Sequence, residues 1–243
     1  MGTNGWYSTD QGNTVCIYIS TDKYDIILDA GDGFYKIDKY VKGDKPIKIL
    51  LSHFHLDHIL GLHILSKFRF KKEINIYGYS GIKEALTTLL NHPYSAPIAK
   101  LPLDISLNEL NEGTINLPFK LTCFLLKHSA PCLGYRIEID EKIIVFCTDT
   151  GICDNLYKLA KGADVFITEC SYKIGQEKWG WPHLKPEEAA KIALESGVKK
   201  LILTHFDASI YLKSINRKEA EKEARKIFPN TISAYDELSL DFS

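Results

Sequence analysis

Three histidines and one aspartate fall within six residues, His53-Phe54-His55-Leu56-Asp57-His58. Imidazole nitrogens and carboxylate oxygens are the donors that hold zinc, manganese or iron. Four such donors in one loop need a shared positive charge, and a bound metal supplies it. His53 and His55 are two apart, so an extended backbone points both side chains the same way. Asp57 and His58 come one step later, where a helix begins, and can face a second ion. Three more donors, His128, Asp149 and His205, each stand directly after an apolar, strand-like run. Five imidazoles and two carboxylates are enough for two zinc-type ions. Thiolates are not the donors. The six cysteines contain no CxxC pair, and of them Cys170 alone occupies such a position after a strand.

Such residues must be carried by elements that end at one place. The run Ile47 to Leu51 has strand character, and the segment from Asp57 to about Phe68 has helical spacing, with Asp57 at the N-terminal end that favours carboxylates. Val15 to Ile19 and Tyr24 to Leu28 read as a hairpin around Asp22-Lys23, followed by a tight acidic turn at Asp29-Ala30-Gly31-Asp32-Gly33. A strand over Glu73 to Tyr77 leads to a helix opened by Ser80-Gly81, with Ile82, Ala85, Leu86, Leu89 and Leu90 on one face. Strands are predicted over Ile115 to Leu126, Leu133 to Ile139 and Lys142 to Cys147. Then come a helix from Asp154 to Lys161 closed by Gly162, a strand from Asp164 to Thr168, a loop from Tyr172 to His183 and a helix begun by Pro186. A strand from Lys199 to Leu203, a charged helix from Asn216 to Phe228, and short strands near Thr231 to Ala234 and Leu238 to Leu240 complete the chain. Strands alternating with helices predict a layered α/β fold, in which strand ends converge on one edge. No linker or low-complexity segment interrupts the pattern, so residues 1–243 are read as one domain.

The composition is that of an ordinary globular protein, 45% hydrophobic and 25% charged over 243 residues. The net charge of −1 argues against a surface built as a whole for nucleic acid. No apolar run reaches the length of a membrane span, and Met1 to Asp10 lacks the pattern of a secretory signal. The cysteines read as buried free thiols in a reducing cytoplasm. Lysines at 36, 39, 42, 45 and 48 read as a solvated face rather than a phosphate-binding stripe. His63 and His92 read as ordinary helix-associated histidines.

The pattern His53-x-His55-x-Asp57-His58, with His128, Asp149 and His205, resembles the metal motifs of the metallo-β-lactamase fold superfamily. The resemblance runs from Gly12-Asn13 through Leu28-Asp29-Ala30-Gly31 to His205. It implies a four-layer αββα sandwich, with two mixed β-sheets, helices on both outer faces and the site at one edge of the sheets. It implies that His53, His55 and His128 hold one ion, that Asp57, His58 and His205 hold the other, and that Asp149 bridges them. The nucleophile implied is a hydroxide held between two divalent ions, zinc first, with manganese or iron as alternatives. Asp57 then counts among the catalytic residues as well as the ligands.

A second group of residues narrows the branch. Thr168-Glu169-Cys170-Ser171 and His183-Leu184-Lys185-Pro186-Glu187-Glu188-Ala189-Ala190 resemble ribonuclease Z and related phosphodiesterases, as does Lys127-His128 to Gly134-Tyr135-Arg136-Ile137. In that branch a glutamate orients a histidine that steadies the transition state or protonates the leaving oxygen, which here implies Glu169 and His183. A phosphodiester needs that help, because its alkoxide is a poor leaving group. Asp29 is the candidate to orient a ligand imidazole. Trp179 and Trp181 are candidates to stack on a nucleobase or aryl group, or to pack their own loop. One departure matters: ribonuclease Z carries a tRNA-gripping arm between the equivalents of His128 and Asp149, and only 20 residues separate them here.

The expectation is therefore a dinuclear metal-dependent phosphodiesterase acting on a small phosphodiester or a short nucleic acid. It has no membrane role, and a homodimer is compatible with the resemblance. The alternatives are a hydrolase of esters, lactones or thioesters, a full ribonuclease Z, and a metal-bound scaffold without turnover.

Overall fold

The architecture was analysed in a computed structural model that describes residues 2–178 and 180–241. The chain opens with β1 (Asn4–Gly5), then β2 (Ile17–Ser20), β3 (Asp25–Leu28), β4 (Ile47–Leu50), β5 (Ile74–Tyr79) and β6 (Ile105–Leu110). Strands β2 to β6 form one five-stranded sheet in sequence order, antiparallel at β2–β3 and parallel elsewhere. Next come β7 (Gly113–Asn116), β8 (Lys120–Leu125), β9 (Leu133–Ile139), β10 (Lys142–Cys147), β11 (Val165–Glu169), β12 (Lys200–Thr204), β13 (Phe206–Asp207) and β14 (Thr231–Ser233). The second sheet has the order β14-β12-β11-β10-β9-β8-β7, parallel in its first half and antiparallel in its second. Strands β1 and β13 form a separate two-stranded parallel pair.

Side-chain alternation along the strands builds three apolar layers. Ile26, Leu28 and Leu50 meet Leu121, Tyr135, Ile137, Phe146 and Ile167 between the sheets. Ile27, Ile47, Ile49, Ile74 and Ile76 face outward, under the 3-10 turns Asp32–Lys39 and Leu60–Lys67 and the helix at Ile82–Leu89. On the other side, Val145, Cys147, Phe166, Leu201 and Leu203 lie under helices at Asp154–Ala160, Pro186–Glu195 and Ser214–Arg225. Neighbours along one strand thus belong to different layers, as the two-residue period requires. The predicted αββα sandwich of two mixed sheets is what the chain adopts.

The structure departs from the sequence reading in five places. The helix expected from Asp57 to Phe68 is a single α-turn, α1 (Leu56–Ile59), continued as the 3-10 segment Leu60–Lys67. There the Gly61 N–H bonds to the Ala30 carbonyl at 2.9 Å rather than extending an α ladder. The long strand expected over Ile115 to Leu126 is a hairpin, because Pro118, which has no N–H to give, stands at its turn between β7 and β8. Strand β6 was not foreseen, and the expected strand at Leu238 to Leu240 is irregular chain. Finally, the lysine face is not uniformly solvated. Lys48 shares the inward side of β4 with Leu50 and pairs with Glu73 at 3.3 Å, while Lys36 is buried against Asp236 at 3.0 Å.

Candidate metal centre

All seven predicted ligand residues converge where both sheets end on one edge. Asp29 follows β3, the HxHxDH loop follows β4, Asp149 follows β10 and His205 separates β12 from β13. His128 lies past β8, in a loop tied to the Asp149 loop by the Gly151 N–H to the Lys127 carbonyl at 2.8 Å. Three of these strand ends bend sharply: Asp29, Asp149 and His205 have φ of 55°, 28° and 49°. A non-glycine residue reaches that region only when the surroundings compel it, and such outliers cluster at functional sites.

The donors form two groups, His53, His55, His128 and Asp149 in one, and Asp57, His58 and His205 in the other. In the first, His55 Nδ1 lies 2.9 Å from His53 Nε2 and 3.3 Å from His128 Nε2. In the second, the Nε2 atoms of His58 and His205 face each other at 3.1 Å. Asp57 Oδ2 is 3.4 Å from each of them. Asp149 turns one oxygen to each group. Its Oδ2 lies 3.9 Å from both His53 and His128, and its Oδ1 lies 3.2 Å from His58 and 3.0 Å from His205.

This donor set fits a cation. Two ring nitrogens face to face can share only one proton, and three meeting at a point leave lone pairs opposed. The electrostatics agree. Burial disfavours charge on His58 and His205, yet the carboxylates of Asp57 and Asp149 raise both above the usual histidine range. Burial pushes the Asp149 and Asp57 carboxyls up, but the same imidazoles hold them well below the usual carboxylate range. His128, buried and beside other imidazoles, falls to about 4 and so presents a neutral ring. Positive charge is wanted between the donors, and the neutral imidazole is the form that binds metal.

Around the donors is a shell that fixes their rings. Asp29 is fully buried, and its Oδ2 accepts from His58 Nδ1 at 2.7 Å and from Ser52 Oγ at 2.8 Å. Its Oδ1 accepts the Ser52 N–H at 2.6 Å. Ser171 Oγ lies 3.2 Å from His205 Nδ1. Partners of this kind set which ring nitrogen is free to bind. The shell also includes residues that sequence reasoning missed. Gly5 packs its backbone on the His205 ring, where a Cβ would come within 2.5 Å of Cε1. The Trp6 N–H donates to Asp57 Oδ2 at 2.8 Å. A two-residue strand near the N-terminus carries no periodicity that would have marked it.

Next to the donors, His183 Nδ1 meets Glu169 Oε1 at 2.7 Å. Glu169 is fully buried and also accepts backbone N–H groups from Thr150, Ser171 and Leu184. Burial lowers the His183 pKa, but the Glu169 carboxylate more than offsets it, bringing the ring up to about 9. The His183 ring stacks toward His205, with centroids 6.1 Å apart. Cys170 is buried against the Tyr211 hydroxyl and is no part of the centre. Trp179 lies outside the described residues.

Comparison with known proteins gives the family and the fold. The model of the Beta-lactamase superfamily domain matches residues 24–206. Ribonuclease Z of Bacillus licheniformis is 29% identical over 254 aligned residues, which cover 81% of each chain. That alignment is longer than this chain, so the relative carries inserted residues that this chain lacks. The probable metallo-hydrolase YhfI of Bacillus subtilis is 27% identical, with 83% of each chain covered. Its crystal structure, described as a metallo-β-lactamase fold protein, superimposes with a TM-score of 0.80 at 22% identity, over 97% of this chain and 94% of that one. The short form of human tRNase Z gives a TM-score of 0.76 at 20% identity, over 98% and 95%. These two likenesses show a shared fold.

Proposed function

The chain belongs to the β-lactamase superfamily, as a metallo-hydrolase of that fold, and from this premise we propose that it is a phosphodiesterase acting on a small phosphodiester or a short nucleic acid. The observation that carries the reading is the buried pair of Glu169 and His183, set beside the inward-turned donors. We assign His53, His55 and His128 to one ion, Asp57, His58 and His205 to a second, and Asp149 to both. Two divalent ions, zinc first and manganese or iron next, would supply Lewis-acid charge and ease deprotonation of water.

The chain's own residues supply the rest. His183 donates Nδ1–H to Glu169, which leaves Nε2–H to face the substrate. As the bond from phosphorus to the leaving oxygen breaks, that proton passes to the oxygen, so an alkoxide need not depart. Glu169, held by three backbone N–H groups, keeps the imidazole charged and its orientation fixed. Asp57, ionised and anchored by the Trp6 N–H, accepts a hydrogen bond from the attacking water. A phosphodiester already carries negative charge when its alkoxide must depart, whereas a neutral acyl group has less need for so heavily built an acid, which favours the phosphodiester over an ester, lactone or thioester.

A compact substrate is favoured over precursor tRNA. The 20 residues between His128 and Asp149 are taken up by the end of one loop, the β9–β10 hairpin and Thr148, which leaves no length for an arm. We read residues 1–243 as one hydrolase domain. All six cysteines are free thiols, which suits the cytoplasm. Among the described residues no helix is long and apolar enough to cross a membrane.

The test is metal analysis joined to a substrate panel: an activated aryl phosphodiester, cyclic nucleotides, aryl esters, lactones and precursor tRNA. Diester turnover is expected, abolished by Asp149→Ala or His53→Ala. A stoichiometrically loaded protein that cleaves only acyl substrates, or nothing, overturns the reading.

A further inference from the structure

We propose that Trp6 and Trp181 form a seat for a flat aromatic group, a nucleobase or an aryl ring, attached to the leaving oxygen of the substrate. The inference rests on the phosphodiesterase reading and adds the chemical class of the substrate.

Both indoles are large, apolar and open to solvent, Trp6 at 60% and Trp181 at 48% exposure. They touch edge to face, with centroids 6.4 Å apart and planes at 64°. Each is tied to the centre by its own backbone. The Trp6 N–H bonds to Asp57 Oδ2 at 2.8 Å, and the residue before it lies on the His205 ring. The Trp181 carbonyl accepts the His183 N–H at 3.0 Å. The rings therefore join two chain segments that reach the centre separately, one through Asp57 and one through the acid.

Trp6 also sits at φ 71°, in the left-handed region that bulky residues rarely enter. An exposed, strained tryptophan serves the folded state poorly, while exposed apolar surface beside a polar cleft is a common mark of a ligand seat.

The chemistry fixes which part of the substrate lies there. His183 protonates the leaving oxygen, so the substituent on that oxygen lies on the His183 side, within reach of Trp181, two residues away. Two indoles meeting at an angle offer one face and one edge, which a flat ring fills by stacking on one and meeting the other edge-on. An alkyl or sugar group of similar size gains only the apolar contact. Stacking on an aromatic residue carries about tenfold in affinity or more.

The test compares AMP, phenyl phosphate and ribose 5-phosphate as inhibitors of bis(4-nitrophenyl) phosphate hydrolysis by the metal-loaded enzyme. The aromatic ligands are expected to bind about tenfold more tightly than ribose 5-phosphate. AMP ahead of phenyl phosphate identifies a nucleobase, and parity identifies an aryl group. Trp6→Ala and Trp181→Ala should each reduce that advantage several-fold, while Trp6→Phe and Trp181→Phe retain most of it. A pair that only packs its own loop would change stability and leave the ratio alone. Equal binding of the three ligands, or an advantage that survives both alanine variants, overturns the proposal. If the wild type cleaves no diester, the functional reading fails on its own. The seat is then judged by quenching of tryptophan fluorescence by the same ligands in a Trp179→Phe background.

Discussion

Asp29 Oδ2 and His58 Nδ1 stand 2.7 Å apart where neither side chain meets solvent. The carboxylate fixes the tautomer of His58 and turns Nε2 toward Asp57, Asp149 and His205. Asp29→Asn keeps the shape and tolerates the positive φ, but removes the charge. Affinity for metal should fall about 10- to 100-fold, read by competition with a chromogenic chelator. An unchanged affinity would show that the pair serves packing alone.

His183→Ala should separate acid chemistry from metal binding. We expect turnover of a diester with a poor leaving group to drop about 10²- to 10⁴-fold, with metal content unchanged. A substrate whose leaving group needs no proton should lose far less. Equal losses on both substrates would contradict the assignment.

The pair of Glu169 and His183 also sets a pH dependence. Burial lowers the His183 pKa, but the Glu169 carboxylate more than offsets this and brings it up to about 9, above the ordinary 6.5. A raised histidine pKa contributes stability that is fully present below 6.5 and is lost as pH rises through about 9. Activity that depends on the protonated ring declines on the same alkaline side, and bound dications bring that decline to lower pH. Glu169→Gln should move the alkaline limb of kcat further down. A limb that stays in place would assign it to another group.

Gly5→Ala tests the close approach at His205. A methyl group there would lie 2.5 Å from Cε1 and 2.9 Å from Nε2. The ring must shift, so metal occupancy at the Asp57, His58 and His205 group should fall before the fold does. Metal analysis beside a thermal melt separates the two effects.

A buried polar tie joins the two sheets, the Tyr135 hydroxyl to the Leu51 carbonyl at 2.6 Å, beside the Leu133 N–H to the Ser52 carbonyl at 2.8 Å, and Tyr135 and Leu51 are both fully buried. Tyr135→Phe should cost about 1–3 kcal/mol of stability in denaturant unfolding. Because Leu51 leads into the HxHxDH loop, metal affinity should weaken with it.

Much of this was legible in the residues because the chemistry is concentrated. A donor cluster after Leu51, and single donors after Cys147 and Thr204, each end an apolar run, so the strands marked where the site would form. Glu169 and His183 were readable as motif residues, although their contact spans a loop with no regular structure. What escaped were interactions set by tertiary contact. The turn at Gly61 is decided by the Ala30 carbonyl, which helical spacing cannot register. Lys48 looks like one of a solvated series until β4 is paired with β5 and Glu73 comes beside it. Gly5 ends a strand too short to show a period and Trp6 follows it, and their importance lies in what they touch.

The split origin of the donors has a consequence for the chain as a polymer. His58 comes from the end of the first sheet and His205 from the end of the second, 147 residues later. A cation held by both would act as a reversible cross-link, closing a loop that contains most of the molecule. Ties across loops this long restrict the unfolded chain most, by about 5 kcal/mol in the entropy relation derived for disulfides. Loading the centre would then staple the sandwich shut as well as arm it, and stripping the ions would loosen the two sheets at the edge that carries the donors.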